Sequence, residues 1–185
     1  MQEISLNILD VAQNSVTAGA KLITITVDEQ LASDSLTVVI ADDGCGMSAE
    51  TVKKVTDPFY TSRTTRKVGL GIPFFKMSAE MTGGSFDISS EVGRGTRVTA
   101  RYVLDSIDRM PLGDINGTIQ ALITCNPSLD FVYLRRVDDR EFTLDTRSMR
   151  EILGDIPFDR PEVTGFVTDF LSENEQEVSG GASNS

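Results

Sequence analysis

The chain has 185 residues, with 17 Lys and Arg against 28 Asp and Glu for a net charge of -11, 39% apolar residues and no histidine. The missing histidine excludes a Ser-His-Asp triad, a His-ligated zinc, imidazole acid–base work and a phosphohistidine carried on this chain, so any catalysis must use carboxylates, hydroxyls, amides or a metal. The acidic balance opposes nonspecific binding to nucleic acid or anionic lipid, whose phosphates repel it at long range, and neither is expected as a partner.

From Ile4 to Ala18 the apolar residues Ile8, Leu9, Ala12 and Val16 recur at steps of three and four, which predicts a helix that Gly19 ends. Residues 21 to 27 and 35 to 41 are β-branched runs and read as a hairpin. Ser48 is placed to cap a short helix to about Val55, and a second helix is expected from Pro73 to Thr82, with Gly83 ending it. Residues 84 to 90 and 95 to 103 alternate around the turn E-V-G-R-G and predict a second hairpin. Antiparallel pairs separated by helices imply an α/β fold, a two-layer sandwich of a mixed, mostly antiparallel sheet with helices on one face.

That domain is expected to span residues 1–104. Residues 105–172 read as a small C-terminal α/β appendage: helices over 113 to 125, 145 to 153 and 161 to 172, with strands over 129 to 136 and 140 to 144. Its two strands could form an independent hairpin or extend the main sheet. Residues 173–185 have little to bury and are expected to be disordered. The isolated Cys45 and Cys125 cannot build a disulfide framework. No stretch approaches the roughly 20 apolar residues of a membrane span, and a secretion signal is not evident, so a cytoplasmic, unprocessed protein is expected.

Four stretches carry chemistry. Asp10, Asn14 and Thr17 fall on one face of the first helix, a polar stripe that by itself reads as solvated surface. D-D-G-C-G-M at 42 to 47 ends an apolar strand in an acidic pair and two glycines, a turn that also lets backbone approach a ligand. A carboxylate there can accept from the exocyclic amine of adenine, whereas guanine presents a carbonyl and leaves it unpaired. From Pro58 to Ala79 there is no acidic residue. Arg63, Arg66, Lys67 and Lys76, hydroxyls such as Thr61, and the glycines Gly69 and Gly71 ahead of a helix start suit a polyphosphate. G-R-G-T at 93 to 96 opens the last strand and aims Thr96 at its end, though alone it is a hairpin turn.

In this order and spacing the stretches resemble the GHKL ATPases, a superfamily that includes histidine kinases, DNA gyrase, ninety-kilodalton heat-shock chaperones and MutL mismatch-repair proteins. D-V-A-Q-N-S-V-T-A-G-A at 10 to 20 is similar to the N box of MutL-like members. D-D-G-C-G-M is similar to the G1 box, while D-P-F-Y-T-S-R and V-G-L-G-I are similar to the F and G2 boxes of histidine kinases. The resemblance implies the Bergerat-type version of the fold, with ATP or ADP and Mg²⁺ as ligands.

By position, the resemblance implies that Asn14 offers its amide oxygen to Mg²⁺ and Asp42 reads the adenine amine. Gly44, Gly46 and Met47 pass close to the base, and Thr96 fixes it through a water. Gly69, Leu70 and Gly71 present backbone N–H groups to the phosphates, with Thr61, Arg63, Arg66, Lys67 and Val68 around them. Lys67 replaces the usual first glycine of the G2 box, and Asp43 stands where Asn is more usual, adding negative charge. Hydrolysing members carry Glu at the position of Asp10, the base that activates water; Asp is one methylene shorter and predicts slow turnover. The implied function is Mg-dependent ATP binding with slow hydrolysis, or γ-phosphoryl transfer to a partner protein. The alternative is an ATP-gated interaction module with little or no catalysis.

Overall fold

The computed structural model describes residues 2–57, 59 and 70–180. Twelve elements follow in order: α1 (Ile4–Thr17), β1 (Leu22–Gln30), β2 (Ser35–Asp42), α2 (Ala49–Val55), α3 (Gly71–Met81), β3 (Ser85–Glu91), β4 (Gly95–Val103), α4 (Ile115–Cys125), β5 (Asp130–Val137), β6 (Arg140–Asp145), α5 (Thr146–Leu153) and α6 (Pro161–Val178). One sheet of six strands runs in the order β3-β4-β2-β1-β5-β6. Neighbours pair antiparallel except β1 and β5, which run parallel, so the sheet is mixed and mostly antiparallel.

Alternation with period two decides which face is covered. The rows Ile23, Ile25 and Val27 of β1, Leu36, Val38 and Ile40 of β2, Val98, Ala100 and Tyr102 of β4, and Phe131 and Tyr133 of β5 are buried. They share one hydrophobic core with Ile4, Ile8, Phe75, Ile119 and Val167 from the helices. The alternate positions, among them Thr24, Thr26, Thr37, Thr99 and Arg136, are not buried. This is the two-layer α/β arrangement expected, with β5 and β6 extending the main sheet rather than standing apart.

Several details differ from expectation. On α1 the buried stripe is Ile4, Ser5, Ile8, Val11, Ala12 and Ser15, rotated away from Leu9 and Val16, which are only partly covered. α3 starts at Gly71 rather than Pro73, so the proline stands in the first turn, where its missing N–H would have had no partner inside the helix. α6 runs to Val178, so residues 173 to 178 of the expected tail are helical. Val178 lies seven residues after Leu171 and is buried with it, and Ser179 Oγ closes on Glu175 at 3.1 Å. Residues 181–185 lie outside the described residues.

The start of α1 is completed by a distant segment. Glu3 makes no side-chain cap, and the Ile4 and Ser5 N–H groups donate to Pro111 O at 3.0 Å and Leu112 O at 2.9 Å. The Glu3 carboxylate also accepts from Asp114 N at 3.3 Å.

Arg135 occupies an inward position of β5 opposite Val27 and is 3% exposed. It bonds Glu29 of β1 at 3.0 Å and Glu175 of α6 at 3.2 Å, tying sheet to helix. Arg135→Ala leaves two carboxylates facing one another without their shared cation and is expected to cost about 3 kcal/mol in urea unfolding. Glu175→Gln, which leaves the Glu29 pair intact, is expected to cost less.

Candidate functional site

α1 crosses one end of the sheet, where β2 finishes at Asp42 and β4 begins. Asp42 lies opposite Thr96 in the β2–β4 register. A cavity of about 270 Å³ opens there. Its polar lining is Asn14, Ser15, Thr17, Asp42 and Thr96; Val11, Ile40, Met47, Ile72 and Val98 supply apolar walls, and Ala18, Cys45 and Gly46 close one side. A mostly apolar hollow with a few convergent polar groups is the usual form of a small-molecule site.

Asp42 is held at both carboxylate oxygens. Ser15 Oγ donates to Oδ2 at 2.6 Å and the Gly44 N–H donates to Oδ1 at 2.9 Å. Thr96 Oγ1 lies 2.8 Å from Ser90 Oγ, and Ser90 Oγ accepts from the Met47 N–H at 2.8 Å. Asn14 Nδ2 is buried and has no partner among the described residues. A buried amide nitrogen without a partner calls for an explanation.

The loop after β2 is not a hairpin turn, because Asp42 leads through 43–48 into α2. Cys45 N–H donates to Ala18 O at 2.9 Å, and Cys45 O accepts from the Gly93 N–H at 2.7 Å. Gly46 has φ +67 and a Cβ there would run into the Glu91 carbonyl; Gly95 has φ +108 and a Cβ there would run into the Asp42 carbonyl. Both glycines are therefore required where two stretches of backbone press together.

Asp43 lies outside the cavity lining. Its Oδ1 accepts from Lys21 N at 2.7 Å and Leu22 N at 2.9 Å, fastening the loop to the start of β1. Burial pushes this carboxyl up, but the Leu22 and Lys21 amides, its own amide and the Lys21 charge outweigh it, and its pKa lies below the ordinary 3.8.

Of the residues singled out in the sequence, Asn14, Asp42, Gly46, Met47 and Thr96 line the cavity together, and Gly44 supports Asp42 from behind. Asp10 is exposed and outside the lining; it abuts Gly71, where an added Cβ would meet the Asp10 Cβ at 3.0 Å. Leu70 and Gly71 stand at the start of α3, also outside the lining. Thr61, Arg63, Arg66, Lys67, Val68 and Gly69 lie outside the described residues. Sequence reasoning missed Ser15 and Ser90. Ser15 had a signal, since it falls seven residues after Ile8 on the buried stripe, where a hydroxyl needs a partner.

A family model described as histidine kinase-, DNA gyrase B- and HSP90-like ATPase matches residues 1–106. Sensor protein SrrB of Staphylococcus aureus (strain NCTC 8325 / PS 47) is 39% identical over 101 residues, 52% of this chain and 17% of that protein. The chain thus spans about a sixth of the length of the curated relatives it matches. Among solved structures, the N-terminal domain of a DNA repair protein superposes with a TM-score of 0.56 at 13% identity, over 78% of this chain and 53% of that one. The Aquifex aeolicus MutL ATPase domain complexed with ADP gives a TM-score of 0.47 at 16% identity, over 82% of this chain and 68% of that one.

Two stability predictions follow from the loop. Gly46→Ala is expected to cost about 2 kcal/mol or more, because it combines a left-handed backbone with overlap on the Glu91 carbonyl. Urea unfolding measures it. Asp43→Ala is expected to lower the thermal midpoint at about pH 7. A carboxyl with a depressed folded pKa contributes stability above its unfolded value of 3.8, and that contribution is lost as the pH falls through the folded value. The gap between Asp43→Ala and the natural chain should therefore narrow over that acid range in thermal scans.

Proposed function

This chain belongs to the histidine kinase-, DNA gyrase B- and HSP90-like ATPase family, and on that premise we propose that it binds ATP with Mg²⁺ and either hydrolyses it slowly or passes its γ-phosphoryl group to a partner protein. The observation that carries this reading is the convergence of Asn14, Asp42 and Thr96 on one cavity from α1, β2 and β4. In this reading the Asp42 carboxylate accepts from the adenine amine, and Val11, Ile40, Met47, Ile72 and Val98 cover the faces of the base. The cavity, about 270 Å³, is of a size for the base rather than for the whole nucleotide.

α1 then acts as a ruler. Ser15 faces Asp42 at the base end, Asn14 stands beside it, and Asp10 meets the start of α3 at Gly71. Five residues of helix span roughly 7.5 Å, which carries the site from the base toward the phosphates. The N–H groups of Leu70, Gly71 and Ile72 at the start of α3, with Gly69 before them, are the donors assigned to the phosphate chain. Thr61, Arg63, Arg66, Lys67 and Val68 belong to the same basic segment. Thr96, already tied to Ser90, is assigned to the base side.

The amide oxygen of Asn14 is of the donor type that Mg²⁺ takes. Among the described residues no cluster of acidic or cysteine side chains could hold an ion by itself. Mg²⁺ bound mainly through phosphates and water needs no more than one or two protein oxygens, and it would neutralise charge on the transferred group. Asn14 would offer its amide oxygen to Mg²⁺, and its amide nitrogen, buried and without a partner among the described residues, is a donor.

Asp10 is the residue assigned to orienting water, as a general base. Its side chain, one methylene shorter than the Glu of hydrolysing relatives, favours a second reading, an ATP-gated module that contacts a partner protein with little or no chemistry. Among the described residues no helix is long and apolar enough to cross a membrane.

Calorimetric titration with ATP, ADP and GTP, with and without Mg²⁺, tests the reading. ATP and ADP are expected to bind and GTP to bind about 10²-fold or more weakly, with Asp42→Asn erasing most of that preference. Equal affinity for GTP would remove the assignment of Asp42. Steady-state turnover, with Asn14→Ala as the background, separates the two readings: activity at least about 10²-fold above Asp10→Asn supports catalysis, and activity equal to the Asn14→Ala background supports the binding module.

A further inference from the structure

Apolar side chains scattered singly over a surface are ordinary, but several around one hollow are not. Where α5 turns into α6, an open groove of about 680 Å³ is walled by Leu153, Ile156, Pro157, Val163 and Phe166. Ile156 is 51% exposed and Phe166 58%, and Ile152, beside the wall residue Leu153 in the chain, is 87% exposed. The shape of the groove is fixed from below. Phe158 in the connecting turn is buried in the core with the Arg150 guanidinium 4.6 Å from the centre of its ring, and Pro157 and Pro161 restrict the backbone around it. The same turn thus drives one aromatic ring inward and leaves Ile156 outward, with half of its surface in water.

The charge around the groove is mostly of one sign. Within residues 151–170 the carboxylates Glu151, Asp155, Asp159, Glu162 and Asp169 are all exposed, and Asp155 and Glu162 line the groove itself beside Arg160. Arg150, the other guanidinium nearby, is engaged by Asp130 at 2.8 Å. We propose that this groove receives an amphipathic helical segment of a partner protein, with apolar side chains laid against Ile156 and Phe166 and with Lys or Arg on its flanks facing the carboxylates. A helix is the form that fits, because none of the lining residues belongs to a strand and an extended chain would find no edge to pair with, so the incoming backbone must satisfy its own hydrogen bonds. Nucleic acid and anionic lipid would be repelled by the same carboxylates. Because the groove is set before binding, the ordering cost falls on the partner's side. The groove lies beyond residue 106, outside the family match, and does not depend on the nucleotide reading.

The probe is a fluorescein-labelled peptide of about four helical turns, with Leu on one face and Lys on the other, followed by fluorescence anisotropy over a range of NaCl concentrations. Matched peptides carry Glu in place of Lys, or Ser in place of Leu. The Leu/Lys peptide is expected to bind the natural chain at least about tenfold more tightly than either matched peptide, and to weaken as NaCl rises. Phe166→Ser and Ile156→Ser are each expected to weaken it about tenfold, and Asp155→Asn combined with Glu162→Gln to weaken it and flatten its salt dependence, with thermal midpoints close to that of the natural chain. Met77→Ser and Met81→Ser, at exposed apolar positions of α3, are expected to leave binding unchanged. No binding, equal binding of a matched peptide, or a loss in the α3 variants equal to that in the groove variants would overturn the proposal. Sedimentation equilibrium covers the remaining occupant: a dimer of the natural chain that Phe166→Ser dissolves would give the groove to a second copy and overturn the proposal as well.

Discussion

Everything at the cavity rests on three backbones meeting without side chains between them. The end of α1, the loop after β2 and the turn between β3 and β4 touch through Cys45 on Ala18, Gly93 on Cys45, Gly46 against Glu91 and Gly95 against Asp42. Hydrogen bonds run along this seam, and the two glycines allow it to close. Once it is closed, β2 must end beneath α1, and the carboxylate of Asp42 lies within reach of Ser15. The same seam brings Thr96 level with Asp42 in the strand register. A ligand site that depends on backbone contacts is set when the domain folds, so little ordering at this end is left for the moment of binding.

The sequence made the layers of this fold legible because its periodicities were clean. S-L-T-V-V-I-A matched β2 to within a residue, K-L-I-T-I-T-V stopped three residues short of the end of β1, and Ser48 capped α2 as expected, accepting from Thr51 N at 3.2 Å. The parallel pairing of β1 with β5 was not legible, since both strands alternate and alternation does not choose a neighbour. The end of α6 was missed because S-E-N-E-Q-E-V holds a single apolar residue, and the burial of Val178 depends on tertiary context. The site was half legible. Motif order placed Asn14, Asp42 and Thr96 together, but the glycines of D-D-G-C-G-M read as room for a ligand when they also serve the contact with the next turn. Asp43 read as an added negative charge, and its partners, the backbone amides of Lys21 and Leu22, are ones that no pattern of side chains announces.

The region beyond residue 106, the end of the family match, is part of the same sheet and helical layer. β5 lies directly beside β1, and Arg135 joins β1 to α6 through two carboxylates. Burial carries the phenol of Tyr133 well above its usual range, with Glu175 adding to the effect, so this ring stays neutral within the interface. At the opposite side of the core Tyr102 is likewise raised, to about 12, by burial despite its bond to Ser78. Both phenols therefore behave as packing groups with a polar tip rather than as acids.

The first two peptide donors of α1 point at the carbonyls of Pro111 and Leu112. The helix that carries Asp10, Asn14 and Ser15 is thus finished by residues from the far side of the family boundary. The nucleotide-type half is consequently not a cassette. Lifted out at residue 106 and grafted elsewhere, it would arrive with a frayed leading turn on its ligand-bearing helix, and any hybrid that works would have to supply its own two carbonyls at that spot.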